Sequence, residues 1–462
     1  LSSRPPDALA RTLETDCSMN ASASSEKWLP ADDNTNGWSA ILPPRVPREP
    51  ARQSASFDWL VVGAGYAGLS AARRLAILNP SHTIALVDAQ AVGEGAHGRN
   101  AGFAIDLPHN NDHDPGNTEK GHRHMRLSRY GIDTLDELVR VHGIDCQWSK
   151  RGRYDCAVSP DISRTLLGAT AAELDALGEP YEILRGDALH ARLGTRYYDS
   201  AIYTPGTRLL NPAALSRGLA DSLPANVQLF EHSPVLDIES GSSVVATLRN
   251  GKRLTARTVV LTNNAFINRF GYFDRQLLPF VLFASLSRPL TPEERARLGG
   301  TLDWGITPAH GIAGATLRYT QDFRILFRYG FQFAPTLRCP ASLRERMQRT
   351  HQVLFKTRFP MLEHVSLEHF WAGYLSLSQN GAPGWGQLSN NVYAAVNCNG
   401  VGIAKQTTAG ALVAELACDT GHPLIGDMLA LGSPDLLPRR PFLDVGVRSY
   451  LAAQKWMGRS EK

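Results

Sequence analysis

Apolar positions are sparse and without period over residues 1–56, a stretch rich in Ser, Pro and Ala, and become dense from Trp59 onward. Trp59 to Val62 form an unbroken apolar run. Gly63-Ala64-Gly65-Tyr66-Ala67-Gly68 follows, then a helix-period run to Leu78 and a second apolar run, Thr83 to Val87, that stops at Asp88. Two short buried runs around a glycine turn and a helix predict a βαβ unit, whose right-handed crossover makes the strands parallel. Arg123 to Val141 places Met125, Leu127, Ile132, Leu135, Leu138 and Val141 on an amphipathic helix that Gly143 ends.

Later runs predict strands at Arg153 to Val158 and Ala201 to Thr204, with a helix at Ala171 to Leu177 between them. Further strands are expected at Val227 to Phe230, Val235 to Ile238, Val244 to Leu248 and Thr258 to Thr262, around an Asn250-Gly251 hairpin turn. Phe280 to Ser287 and Phe323 to Tyr329 read as longer strands. The last quarter returns to strand (Val392 to Val396), glycine loop (Asn399 to Gly402) and helix (Ile403 to Cys418). No internal repeat is read.

Residues 1–56 are expected to be a leader, with Met19 as a natural start and processing both left open. Trp28, Trp38, Ile41 and Leu42 are too apolar for a free tail, so part of the leader is expected to dock. The 462 residues are 43% hydrophobic and 20% charged with a net charge of +4, values of an ordinary folded chain. No block of like charge marks a nucleic-acid partner, so small molecules are the expected partners. The longest apolar run, Leu277 to Leu286, contains Pro279 and is too short to span a bilayer. Six scattered cysteines without metal-ligand spacing read as reduced thiols, which points to a cytoplasmic location and no metal site.

The glycine run carries the chemistry. Gly63 permits a tight turn, Gly65 lets backbone approach a pyrophosphate, and Gly68 allows close helix packing. The helix N-terminus supplies free N–H groups and its positive dipole end. Asp88, twenty residues after Gly68, would accept from a ribose hydroxyl. The competing reading is a set of turn glycines and a solvated strand end. Only this fingerprint is read as complete.

The segment Gly93-Glu94-Gly95-Ala96-His97-Gly98-Arg99-Asn100-Ala101-Gly102 follows the second strand, where the chain could pass over a long cofactor. With the Gly63 fingerprint it resembles the glycine/D-amino-acid oxidase family of flavoproteins, in particular its gamma-glutamylputrescine oxidoreductase-like branch. His97 stands where that branch usually has a hydroxyl residue, and Ala101 where it has glycine. The resemblance runs from about residue 25 and includes His142 to Cys146, Leu261 to Ala265, Arg324 to Phe327, and Trp371 to Gly373 with Gly400 to Gly402.

It implies an α/β fold, with a discontinuous Rossmann-like FAD-binding domain and an inserted antiparallel-sheet substrate domain. The FAD-binding parts are expected at 57–145, 201–270 and 369–430, the substrate parts at 146–200 and 271–368, and a C-terminal tail at 431–462. The implied FAD contacts are Gly63, Gly65, Tyr66, Ala67, Gly68, Asp88 and Ala89, then Gly98, Arg99, Asn100, Ala101 and Gly102, with Val235, Asn264, Gly400, Val401, Gly402 and Ile403. Covalent members use a cysteine near the final sheet; Phe370 to Tyr374 has none, so non-covalent FAD is expected. Asn380-Gly381-Ala382-Pro383 also lacks an acid usual in the family.

The implied reaction oxidises a C–N bond of an amine or amino acid by hydride transfer to flavin N5. The imine would then hydrolyse, and oxygen, giving hydrogen peroxide, or another acceptor would reoxidise the flavin. His97 is a catalytic candidate, against a histidine that merely hydrogen-bonds cofactor or backbone. Arg328 or Arg324 would hold a substrate carboxylate, against both decorating a solvent face. Trp371, Tyr374 and Trp385 could wall an amine, against plain core packing, and Lys405 could influence oxygen reactivity, against a solvated lysine. A disulfide reductase would need a close cysteine pair, which the spacing of Cys146 and Cys156 does not give. A two-dinucleotide monooxygenase would need a second fingerprint. A single-domain flavin hydroxylase and a flavin-binding structural protein remain as alternatives, and the oligomeric state is not legible.

Overall fold

A computed structural model of the chain describes residues 29–30, 33–109, 112 and 116–462; Cys17, Met19 and Trp28 lie outside the described residues. The strand Ala55–Val62 is central to one sheet, paired in parallel with Arg253–Leu261 on one side and Ile84–Val87 on the other. Leu60, Val61 and Val62 are buried, as a parallel strand covered on both faces requires. The sheet extends in parallel to Val392–Val396 at one end and Val227–Phe230 at the other. Gly384–Ser389 joins antiparallel at the edge, and the hairpin Val235–Ser240/Val244–Leu248 pairs with Arg253–Leu261 through the Gly251 turn.

The helices Tyr66–Leu78, Thr118–His142 and Gly402–Ala417 share one apolar core over this sheet, with Leu75, Ile132, Leu135, Leu412 and Val413 buried within it. The long helix starts five residues before its apolar period, because the Asn117 side chain accepts from Lys120 N–H and caps it. Gly143 ends it in the left-handed conformation.

The second sheet has eight strands, in the order Leu367–Leu377, Leu278–Ser287, Ile325–Phe333, Thr316–Tyr319, Trp304–Pro308, Arg153–Ala157, Ser200–Thr204, Glu182–Arg185. It is antiparallel, as expected, except where Trp304–Pro308 runs parallel to Arg153–Ala157. Two strands of this sheet cross the expected segment bounds. Ser200–Thr204 pairs within this sheet, and so does Leu367–Leu377, so the substrate-side segments run past 200 and past 368. Phe323 sits in a turn at φ 62°, and its strand begins at Ile325.

The described part of the leader is docked: Trp38 is fully buried, and Arg45 donates to buried Glu231 at 2.7 Å. Residues 431–462 are not a plain tail. They contain the helix Phe442–Met457, and Glu461 accepts from Val158 N–H at 3.1 Å and Ser159 N–H at 3.2 Å on the second sheet.

Candidate functional site

Each of the first two parallel strands runs into a glycine loop. Gly63 turns the chain at φ +108°, and Gly65 (φ −81°, ψ −173°) opens the helix Tyr66–Leu78. After Ile84–Val87, Gly93 turns at φ +97°, and Gly95 (φ −80°, ψ −172°) opens the single turn Ala96–Arg99. Gly93-Glu94-Gly95-Ala96-His97-Gly98 thus repeats both the spacing and the backbone path of the first loop, which corrects the reading of one complete fingerprint. A Cβ on Gly68 would lie 1.7 Å from the Gly63 carbonyl oxygen, and one on Gly98 1.9 Å from that of Gly93. These two glycines close their turns and do not line the cavity. Gly102 likewise packs against the Leu210 carbonyl, 2.1 Å from where a Cβ would stand. The second loop heads a single helical turn, so both loops serve one cavity and not two nucleotide domains.

That cavity has a volume of about 370 Å³. Gly63, Gly65, Tyr66, Ala67, Asp88 and Ala89 line it from the first unit, and Arg99, Asn100 and Ala101 from the second loop. Val235 and Asn264 face it from the hairpin and the strand end, and Gly400, Val401, Gly402 and Ile403 from the loop before the last helix. Asp88 accepts from Ala64 N–H at 2.7 Å and Gln90 N–H at 2.8 Å, while burial pushes its carboxyl up to about 6. Two phosphate-approachable glycine loops with an acceptor at the second strand end fit a dinucleotide such as FAD.

His97 lies between the two loops. Its Nε2 accepts from Gly93 N–H at 2.9 Å, its ring meets Tyr66 edge-on, and burial pushes its pKa down to about 4. A neutral ring with its lone pair already used closes the second glycine loop on itself, so the backbone-bonding reading of His97 is favoured over the catalytic one. Arg99 joins three elements: it donates to Glu94 O at 2.6 Å, to Asp33 of the leader at 2.7 Å and to Ala372 O at 3.2 Å.

The second sheet closes the other side. Its register sets Thr316 opposite Arg328, Arg328 opposite Ala284, and Ala284 opposite Trp371, a row on one face. Arg328 lines the cavity and donates to Thr316 Oγ1 at 2.6 Å. No carboxylate pairs with it among the described residues, and burial pushes its pKa down to about 10. Beside it, Thr307 donates to Asp155, Asp155 pairs with Arg153 at 3.2 Å, and Arg153 donates to Nδ1 of cavity-lining His109 at 2.8 Å. An arginine cannot accept, so the neutral His109 ring keeps its proton on Nε2.

Trp371 does not reach the cavity. It is fully buried against Trp38 and Leu326 and donates to Arg99 O at 2.9 Å, so its catalytic assignment is replaced by a packing role. Trp385 is also held in the core, donating to Ala409 O, while Tyr374 does line the cavity. Arg324 points away, donating to Glu368 at 2.8 Å. Lys405 is tied to buried Asp112 at 2.5 Å instead of being solvated. Sequence reasoning missed Thr316 and His109, which become neighbours only through sheet register, and Asp33, whose leader context carries no signal. Cys146 and Cys156 are buried free thiols in different cores, and burial pushes both upward, so no redox pair exists there.

The paired glycine loops, the strand-end acid and the sheet closing the cavity define a dinucleotide-dependent oxidoreductase. The family described as FAD dependent oxidoreductase (DAO) matches residues 58–416, and the chain belongs to it. It is an enzyme whose cofactor is FAD. Among similar proteins, a probable oxidoreductase OrdL of Haemophilus influenzae is 27% identical over 382 residues, covering 79% of this chain and 84% of its own. The gamma-glutamylputrescine oxidoreductase of Escherichia coli is 26% identical over 413 residues, covering 86% and 90%. The crystal structure of glycine oxidase from Geobacillus kaustophilus superposes with a TM-score of 0.66 at 20% identity, covering 79% of this chain and 95% of that one, a likeness of fold.

Proposed function

We propose that this FAD-dependent oxidoreductase oxidises the C–N bond of an amine or amino acid that carries a carboxylate. The observation that carries the reading is Arg328: a guanidinium lining the cavity with a threonine hydroxyl, and no acid among the described residues, as its partner. A half-buried cation facing a cavity, with no counterion among the described residues, is the natural seat for an anionic substrate group. Bound FAD supplies the hydride acceptor. The chain's own part is to seat the carboxylate on Arg328, hold the adjoining carbon and nitrogen toward the loop Gly400–Ile403, and keep water out behind the docked leader. The Gly400–Ile403 loop presents the N-terminal end of the helix Gly402–Ala417 to the cavity, a positive dipole end suited to negative charge on the reduced cofactor. The names of the E. coli relative and of glycine oxidase support an amine or amino-acid substrate. FAD is held non-covalently, and oxygen is the reoxidant, giving hydrogen peroxide.

Anaerobic mixing with a panel of amines and amino acids tests this. Bleaching of the flavin by carboxylate-bearing members, and peroxide on admitting oxygen, is expected. Reduction by NADPH but by no amine would replace this reading with a hydroxylase.

A further inference from the structure

The less exposed side of the helix Phe442–Met457 carries Leu443, Val447, Leu451 and Lys455, with Leu451 buried, and the Arg448 guanidinium beside this side lies 5.9 Å from the ring centre of Phe333 on the second sheet. Its opposite arc is the unusual side. At 100° per residue, Phe442, Val445, Gly446, Ser449, Tyr450, Ala452, Ala453, Trp456 and Met457 fall within one half of the helix circumference, and all are exposed. Phe442 is 77% exposed, Val445 62%, Tyr450 58% and Trp456 67%. A helix on a protein surface ordinarily turns its charged face outward. This outward arc holds no charged residue.

The charges stand around the arc, and they are basic. Arg439, Arg440, Arg448, Arg459 and Lys462 are exposed, and the Arg459 guanidinium sits 4.5 Å from the Trp456 ring centre. Of the nearby acids, Asp444 lies 3.5 Å from Arg440 Nε and Glu461 is buried on Val158 and Ser159 N–H, which leaves Asp435 as the one exposed acid from 431 to 462. An apolar arc with Trp, Tyr and Phe, rimmed by arginines, has the chemistry of a helix lying in the headgroup layer of an anionic bilayer. A second copy of the chain is less well served. One face of a helix about 24 Å long offers roughly 240 Å², well short of the about 800 Å² per partner of a standard interface. No helix among the described residues is long and apolar enough to cross a membrane, so any attachment by this element is peripheral.

We propose that the arc Phe442, Val445, Tyr450, Trp456 and Met457, with its rim of Arg439, Arg440, Arg448 and Arg459, docks this enzyme on the surface of a membrane containing anionic lipids. None of the arc residues lines the FAD cavity.

Flotation of the purified full-length holoenzyme with vesicles tests it. The protein is expected to float with vesicles of phosphatidylcholine and phosphatidylglycerol, and at least about tenfold less with phosphatidylcholine alone or in roughly 1 M salt, where charges are screened within about 3 Å. The double variant F442S/W456S loses two exposed apolar anchors and is expected to float about tenfold or more weakly, with its flavin spectrum and turnover unchanged. Equal flotation of parent and variant, or no flotation of the parent, overturns the proposal. A concentration-dependent dimer in sedimentation, abolished by the same variant, overturns it in favour of a second copy. None of these readouts depends on which amine the enzyme oxidises.

Discussion

Trp38 and Trp371 donate their indole N–H groups to neighbouring carbonyls of one loop, Asn100 O at 2.8 Å and Arg99 O at 2.9 Å. One indole comes from the leader and the other from the second sheet, and both are fully buried. The second glycine loop is therefore held by two elements far from it in sequence. Trp38→Phe or Trp371→Phe keeps an aromatic ring but leaves a buried carbonyl unpaired, a cost of about 1–3 kcal/mol. Each variant is expected to lose flavin more readily and to melt at lower temperature, with substrate KM little changed in the fraction that stays yellow. Flavin-to-protein absorbance ratios and thermal melts measure both. A large KM shift without flavin loss would restore a catalytic role for Trp371.

Arg328 makes the opposite prediction. Arg328→Met removes the cation that faces the cavity and costs the charged hydrogen bonds to a substrate carboxylate, about 1.5–3 kcal/mol. That corresponds to roughly 10- to 150-fold in kcat/KM for a carboxylate substrate, at 1.36 kcal/mol per decade. The matching amine without its carboxylate is expected to change far less, so the ratio of the two is the readout. The melting temperature should hold or rise, since a partly desolvated cation with no acid partner among the described residues is removed.

The glycine loops and the acid were readable from spacing because each glycine answers a local demand: a positive φ at Gly63, and a close approach at Gly68. The second loop makes the same demands at Gly93 and Gly98 with the same spacing, but it heads the single turn Ala96–Arg99 instead of a long helix. Trp371 and Arg328 show where spacing stops. Both lie on one sheet face, two strands apart, and alternation alone puts either toward a cavity. What separates them is Trp38, docked from a leader with no regular pattern, which covers Trp371 and leaves Arg328 open. Thr316 and His109 depend on register between distant strands and loops, which the chain order does not display.

Gly98→Ala isolates the second loop. The added methyl would stand 1.9 Å from the Gly93 carbonyl oxygen, and backbone cannot yield as a flexible side chain does. Overpacking of this kind costs about 1–3 kcal/mol. FAD affinity is expected to fall about tenfold or more, while Gly168→Ala, in open space, leaves it unchanged. Titration of the apoprotein with FAD distinguishes them.

Asp88 gives FAD binding a pH dependence. Burial raises its carboxyl to about 6 in the folded chain, above about 3.9 unfolded. A raised acid costs the ionised fold: its penalty is absent below pH 4, grows through the interval and is complete above 6. A ribose hydroxyl donating to the carboxylate favours the ionised form. FAD is therefore expected to bind at full strength above pH 6 and to weaken, by up to about tenfold per unit, as pH falls below it. Asp88→Asn should bind more weakly at neutral pH and lose this slope. An unchanged slope in the variant would assign the titration elsewhere.

Cys398 lines the cavity beside the Gly400–Ile403 loop, and among the described residues it is the one cysteine that does. Its thiol is pushed upward by burial, which outweighs the help of nearby backbone N–H groups and Lys405. A thiol held protonated at neutral pH is a poor nucleophile, because the thiolate is the attacking form. No covalent flavin bond is expected. Acid precipitation of the holoenzyme should leave a colourless pellet and a yellow supernatant, and Cys398→Ser should retain FAD with an unaltered spectrum. Flavin remaining with the precipitated chain, and released in the serine variant, would show that the cysteine is reactive despite its burial.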